Sequence, residues 1–256
     1  HKATEAGKKN FAGGELPGRT LGIIGLGAIG SLVADAAIKL GMNVVGFDPS
    51  ITVEAAWRLS SQVKKAASVE DLLRQSDFVS LHVPLIDATR NLVNAERIAA
   101  MRHGAILLNF AREGTVDNAA VVEALNAGKL AAYICDFPAN ALKGNPRVVT
   151  LPHLGASTEE AEENCAIMVA QQVTDFLEHG NILNSVNFPN VEMSRESAYR
   201  LAIANANVPN MVGSITSALA GAGLNIHNMV NKSKGDMAYT LVDVDSPVTD
   251  ALLQKL

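Results

Sequence analysis

No apolar run in this chain approaches the ~20 residues that cross a bilayer, so no membrane partner is expected. No basic run is long enough to form a nucleic-acid surface. Lys64-Lys65 is a solvated pair, and the formal net charge is −5. Cysteine is limited to Cys135 and Cys165, too few for a disulfide framework, which points to a reducing cytosol. No metal-ligand set is read, and no secretory signal is visible. The expected location is the cytoplasm. An initiating methionine is also missing. The chain starts at His1 and soon enters a strand, as a trimmed piece of a longer protein would. Against these absences stand 256 residues, 48% of them hydrophobic. That is enough for one large domain or two smaller ones with a real core.

The organising stretch is Leu21-Gly22-Ile23-Ile24-Gly25-Leu26-Gly27-Ala28-Ile29-Gly30. It reads as a short apolar strand, a glycine turn and the start of a helix. Gly25, Gly27 and Gly30 fit the G-x-G-x-x-G fingerprint of a dinucleotide site. The first allows the tight turn, the second lets backbone approach a pyrophosphate, and the third lets helix and strand pack closely. The helix that follows aims free N–H groups and its positive dipole end at the phosphates. Ile29, Val33, Ala36 and Leu40 recur at helical spacing, and Gly41 is a C-terminal cap. A second buried strand, 43–47, then ends at Asp48. An acid about 20 residues past the glycines is where adenosine ribose hydroxyls are held. A carboxylate there disfavours a 2′-phosphate, so the expected cofactor is NAD and not NADP.

Further along, strands are expected at 77–84, 105–110, 130–135 and 148–151. Helices are expected at 52–60, 69–75, 94–101 and 118–127. Strands alternating with helices argue for an α/β fold, a doubly wound parallel sheet of Rossmann type. His82, Arg112, Asp136 and His153 each fall at or just beyond a strand's carboxyl end, where such sheets place their functional groups. A long amphipathic helix follows over 157–179, with Ser157 and Glu160 as a capping box and Gly180 as its stop. From residue 199 the order becomes strand, helix, strand, strand, helix, a small α+β domain whose final strand is missing.

These residues resemble the D-isomer-specific 2-hydroxyacid dehydrogenases, and most closely the members that oxidise 3-phosphoglycerate. The resemblance rests on Gly25-Leu26-Gly27-Ala28-Ile29-Gly30 and Leu81-His82-Val83-Pro84. It continues through Leu108-Asn109-Phe110-Ala111-Arg112 with Val116-Asp117, and Pro152-His153-Leu154-Gly155-Ala156-Ser157-Thr158. It implies His153 as general acid/base and Arg112 as the arginine that binds the substrate carboxylate. It implies Asp48 as the ribose ligand and Asp136 as the aspartate near the nicotinamide. Ala28, Ile29, His82, Val83, Pro84, Phe110, Ala111, Gly155 and Ala156 are implied as cofactor-lining positions, together with Arg112 and His153. The tail from Tyr199 resembles an ACT regulatory domain of ferredoxin-like fold. There Asn207 and Asn225 match positions that bind a small amino acid, L-serine in the dehydrogenases, across a dimer interface.

The implied organisation is a connector at 1–15, an NAD-binding domain at 16–155 and a helix returning to a substrate domain at 156–184. A linker at 185–197 and the regulatory domain at 198–256 complete it. Two departures stand out. The family's glutamate that orients the catalytic histidine falls at Asn140 or Ala141, and neither is acidic. Glu113, directly after Arg112, is a weak substitute. The front of the substrate domain is missing, so this piece alone is expected to have little or no dehydrogenase activity. The implied substrate is a phosphorylated hydroxy acid and the implied assembly a homodimer or homotetramer. The alternatives are a glyoxylate- or hydroxypyruvate-type reductase and a non-catalytic NAD-sensing protein.

Overall fold

A computed structural model describes residues 2–8 and 13–256, which fall into two compact units, His1–His153 and Leu154–Leu256. A short helix, α1 (Lys2–Gly7), precedes the sheet of the first unit. The strands of that sheet are β1 (Thr20–Ile24), β2 (Asn43–Phe47), β3 (Val63–Lys65), β4 (Phe78–Leu81), β5 (Ala105–Asn109), β6 (Leu130–Cys135) and β7 (Val148–Thr150). They lie in the order β3-β2-β1-β4-β5-β6-β7, and every neighbouring pair is parallel. Parallel neighbours need crossovers. These are made by α2 (Ala28–Lys39), α3 (Val53–Arg58), α4 (Val69–Gln75), α5 (Ala95–Ala100) and α6 (Asn118–Asn126).

The strands read as continuous apolar runs because both faces of the sheet are covered. Alternate side chains go to opposite clusters. Leu21, Ile23 and Val44 pack on one side with Ala34 and Ala37 of α2. Ile24, Val45, Leu81 and Leu107 pack on the other with Leu72, Leu73 and Val121. The chain order reverses between β1 and β4, and a crevice opens at the carboxyl ends of strands at such a point. Two elements lie where the sequence reading set none: α1, within the expected connector, and β3. The solvated pair Lys64-Lys65 lies in edge strand β3, with both side chains exposed. Three residues at a sheet edge carry too little periodicity to be seen as a strand.

The second unit opens with α7 (Glu159–His179). Its cap is Thr158, whose Oγ1 accepts the N–H of Ala161 at 3.2 Å, one residue later than the expected Ser157 capping box. Gly180 ends it in left-handed backbone (φ 73). Three antiparallel strands follow: β8 (Tyr199–Ala206), β9 (Ile226–Lys234) and β10 (Met237–Val244), in the order β8-β10-β9. Helix α8 (Met211–Gly221) and the short α9 (Asp250–Leu253) pack Ile215, Leu219 and Leu252 against Val242 and Val244. A buried ion pair binds this unit together. Arg200 Nε donates to Asp243 Oδ1 at 2.6 Å and Nη2 to Oδ2 at 2.8 Å. The same guanidinium donates to the carbonyls of His179, Met193 and Ser194. Arg200 thus ties the end of α7 and the following segment to β10.

Candidate active site

The turn after β1 is built as the glycine pattern requires. Gly25 has φ +93, and its N–H donates to Phe47 O at 2.9 Å. A Cβ there would meet His82 O at 2.4 Å, and a Cβ at Gly30 would meet Gly25 O at 1.9 Å. A Cβ on Gly27 would meet nothing within 4 Å. The protein's own packing thus does not require glycine at 27, and the open backbone there leaves room for a phosphate. Asp48 is fixed through both oxygens: Oδ2 accepts the N–H of Leu26 at 2.8 Å and Oδ1 that of Ser50 at 2.9 Å.

Beside this turn lies a cleft of about 540 Å³, lined by Gly25, Gly27, Asp48, Val69, His82, Val83 and Pro84 among others. Its volume is in the ordinary range for small-molecule sites. A second cleft of about 500 Å³ shares His82, Val83 and Pro84 with the first and adds Ile29, Phe110, Ala111 and Arg112. His82 Nε2 lies 2.8 Å from Ser80 Oγ, and burial holds its pKa below the usual histidine value. Burial thus favours the neutral imidazole in the wall between the clefts. The turn and the carboxylate at Asp48 fit a dinucleotide, with Gly27 and the α2 N-terminus for its phosphates and Asp48 for ribose hydroxyls.

Arg112 Nη1 donates to Ala111 O at 2.7 Å, and its guanidinium carbon lies 5.4 Å from the centre of the Phe137 ring. The ring of His153 lies against the same phenyl, with centroids 4.2 Å apart. His153 Nδ1 is 3.1 Å from Asp136 Oδ2. With Nδ1–H donated to the carboxylate, Nε2 is the ring atom able to take a proton. Phe137 thus spaces a fixed cation from a histidine–aspartate pair.

A family profile described as the D-isomer specific 2-hydroxyacid dehydrogenase NAD binding domain matches residues 1–155. The chain belongs to the D-isomer-specific 2-hydroxyacid dehydrogenases. It is 37% identical over 254 residues to a D-3-phosphoglycerate dehydrogenase of Haemophilus influenzae, covering 94% of this chain and 61% of that protein. It is 40% identical over 200 residues to the enzyme of the same name from Methanocaldococcus jannaschii, covering 76% and 38%. Among solved structures it is similar to a glyoxylate reductase from Paecilomyes thermophila, with a TM-score of 0.63 and 32% identity. That match covers 72% of this chain and 58% of the other. The chain therefore spans less than two thirds of the length of these relatives.

Within this family member, the first unit brings together most of the expected site residues: Gly25, Gly27, Asp48, His82, Val83 and Pro84 around one cleft, Ile29, Phe110, Ala111 and Arg112 around the next. Ala28 is exposed at the start of α2. Gly155 and Ala156 fall in the second unit, Ala156 in left-handed backbone (φ 59). Asn140 makes no hydrogen bond to His153 among the described residues. It opens a 3-10 turn, is exposed, and lines a separate hollow with Pro138, Lys143 and Thr150. Glu113 is exposed and makes no hydrogen bond to His153 among the described residues. The carboxylate on the histidine is Asp136, at the end of β6. The sequence pattern sets Asp136 toward the nicotinamide and the histidine's partner further downstream, and it gives no hint of Phe137, because an isolated phenylalanine after a strand carries no signal of its neighbours. Asn207 and Asn225 are not brought together within one chain. Asn207 Nδ2 donates to Gly235 O, and Asn225 N–H donates to Asp245 Oδ1, at opposite ends of the β9–β10 pair.

Among the described residues no helix is long and apolar enough to cross a membrane.

Proposed function

We propose that the intact protein oxidises D-3-phosphoglycerate to 3-phosphohydroxypyruvate with NAD, the first step of serine biosynthesis. The observation that carries this reading is the Arg112–Phe137–His153–Asp136 group, with Arg112 lining a cleft that shares a wall with the dinucleotide cleft. Arg112 binds the substrate carboxylate and polarises the oxygen at the reacting carbon, a task suited to its planar fork of donors. His153 takes the hydroxyl proton on Nε2 as the alcohol is oxidised and returns it in the reverse direction. Asp136 orients the imidazole and offsets its positive charge while the proton is held. NAD, when bound, supplies the hydride acceptor. A non-catalytic NAD-sensing role has no use for a histidine–aspartate pair beside an arginine.

The substrate choice leans on the two relatives named D-3-phosphoglycerate dehydrogenase. The likeness to a glyoxylate reductase makes reduction of a smaller keto acid the second reading. Assay of the intact protein with NAD and 3-phosphoglycerate, and with NADH and glyoxylate or hydroxypyruvate, separates them. Turnover of 3-phosphoglycerate at ordinary enzyme rates is expected. A kcat/KM favouring glyoxylate would overturn the assignment, and no turnover of any of the three would overturn the enzymatic reading itself.

We also propose that β8–α8–β9–β10 is an ACT-type regulatory module that binds L-serine between two copies. Its strand order supports this, because β9 is an open sheet edge. Antiparallel pairing of two β9 edges about a two-fold axis would carry Asn225 of one copy toward the Asn207 end of the other.

A further inference from the structure

Arg112 stands outside regular strand or helix, in extended backbone (φ −148, ψ 149) before a 3-10 turn at Glu113–Thr115. A loop residue that must hold a substrate needs its backbone fixed by something else. Two side chains do this from within the core, Asn109 and Thr115, and a third, Tyr133, accepts a hydrogen bond from Asn109. Asn109, Thr115 and Tyr133 are all buried, at 0%, 0% and 1% exposure. The carbonyl of Arg112 accepts Asn109 Nδ2–H at 3.0 Å, Thr115 Oγ1–H at 2.7 Å and the Thr115 N–H at 3.2 Å. The other side of the same amide, Asn109 Oδ1, accepts the N–H of Ala111 at 3.1 Å. The second hydrogen on Asn109 Nδ2 goes to the Tyr133 hydroxyl at 3.3 Å.

Tyr133 links this knot to the other half of the site. It lies on β6, the strand that ends at Cys135 directly before Asp136 and Phe137, while Asn109 ends β5. The Tyr133–Asn109 bond thus spans two adjacent strands, one leading to Arg112 and the other to Asp136, the carboxylate beside His153. Burial pushes the Tyr133 phenol well above its ordinary range, so it stays a neutral hydrogen-bonding group at any working pH. An apolar residue at 133 would fill the core without needing a partner. A tyrosine whose hydroxyl ends on the one amide that clasps Arg112 does more than fill space.

We propose that Tyr133, Asn109 and Thr115 are positioning residues that set Arg112 relative to the His153–Asp136 pair, and so set the grip on the hydroxy-acid substrate. This rests on the reading of Arg112 as the carboxylate-binding group. A substrate held at one end by an arginine and attacked at the other by a base is sensitive to the spacing of the two, where a 1 Å error can cost on the order of a hundredfold.

The test uses the intact protein with whichever of 3-phosphoglycerate or glyoxylate it turns over. Tyr133→Phe keeps the ring and removes the hydroxyl. Thr115→Val removes the donor to the Arg112 carbonyl, and Thr115→Ser restores it. Tyr133→Phe and Thr115→Val are expected to raise the substrate KM about three- to tenfold, the size of one buried hydrogen bond. NADH affinity, read by its fluorescence, is expected to stay at the parent value, and Thr115→Ser to return KM toward it. A fall in thermal midpoint with KM unchanged would make the three side chains structural and overturn the proposal. Arg112→Lys separates the two layers. If it leaves the substrate KM alone, the reading of Arg112 fails and this proposal with it. If it raises KM while Tyr133→Phe does not, only the positioning role fails. Should none of the acids be turned over, the reading of Arg112 as the carboxylate-binding group fails, and this proposal with it.

Discussion

His153 Nδ1 lies 3.1 Å from Asp136 Oδ2, and the second Asp136 oxygen is enclosed without a hydrogen-bond partner among the described residues. The pair fixes which nitrogen of the imidazole is free, and the carboxylate supplies the charge that Asn140 lacks. With His153 as the proposed base, His153→Ala is expected to cost about 10²–10⁴ in kcat. Asp136→Asn should fall between the parent and that value, since an amide still accepts Nδ1–H but carries no charge. Asn140→Ala should stay near the parent rate. Steady-state kinetics on the three variants of the intact protein check this, and a loss in Asn140→Ala as deep as in Asp136→Asn would refute it.

Asp48 makes two backbone hydrogen bonds before any ligand arrives. Its negative charge is therefore held at one place, beside the glycine turn. NAD is expected to bind more tightly than NADP, because a 2′-phosphate would be forced against that carboxylate. Asp48→Ala should narrow the preference and also weaken NAD, by removing ribose contacts and the tie to Leu26. Titration of both cofactors by fluorescence or calorimetry decides it. Equal or tighter NADP binding to the parent would sink the assignment.

The parallel sheet was legible because its signals are local and repeated: apolar runs at β1, β2, β4, β5 and β6, each followed by a helix or turn. The glycine turn and the cleft beside it were legible for the same reason, since Gly25, Gly27, Gly30 and Asp48 lie within one βαβ unit. The partner of His153 was not. Asp136 is 17 residues away, and nothing in spacing alone says that the end of β6 and the loop after β7 converge. The Asn109–Tyr133 bond is hidden likewise, because a tyrosine in a strand normally means only packing. Strand β3 was lost to brevity, and the helix cap slipped from Ser157 to Thr158 because adjacent hydroxyl residues can both cap and the ranking between them is shallow.

The Arg200–Asp243 pair carries a pH signature. The carboxylate is fully enclosed and the guanidinium nearly so. Burial pushes the Asp243 carboxyl upward, but hydrogen bonds from Arg200 and from the Glu196 N–H outweigh it, and the net shift is below the ordinary aspartate value. A group lowered in the fold stabilises it fully above its unfolded pKa, about 3.9 for aspartate, and loses that contribution as pH falls further. The second unit should therefore weaken steeply below pH ~4. Asp243→Asn should lose about 3–5 kcal/mol at pH 7, because it leaves a buried arginine unpaired. It should also show a shallower acid limb. Urea unfolding across pH measures both, and an unchanged acid limb in the variant would show that other carboxylates govern it.

Serine regulation can be tested without kinetics. Asn207 and Asn225 are separated along β9, nine residues or roughly 30 Å, so one copy cannot hold both against one small ligand. L-serine binding to the intact protein should therefore require at least a dimer. Either Asn→Ala change should weaken it by about tenfold, the size of a lost hydrogen bond to a charged group. Calorimetry with sedimentation analysis reads both quantities. Binding of serine to a monomer, or no heat at all, would remove the proposed module.

The glycines of the turn separate folding from binding. At Gly30 an added methyl would overlap the carbonyl oxygen of Gly25, at 1.9 Å, and that contact is backbone on both sides. Neither can yield without moving β1 or α2, so Gly30→Ala should lower stability as an overpacked core does, by about 1–3 kcal/mol. At Gly27 the added methyl would find nothing within 4 Å, and the backbone is extended (φ −71, ψ −158), which alanine adopts without strain. Gly27→Ala should therefore fold with a thermal midpoint close to the parent. If the space over Gly27 belongs to the cofactor's pyrophosphate, the same variant should bind NAD at least tenfold more weakly, a loss of about 1.4 kcal/mol. Melting curves and NADH fluorescence titrations on the two variants measure both effects. A Gly27→Ala protein that binds NADH as the parent does would mean the phosphates pass elsewhere, and the cleft beside Asp48 would need another occupant.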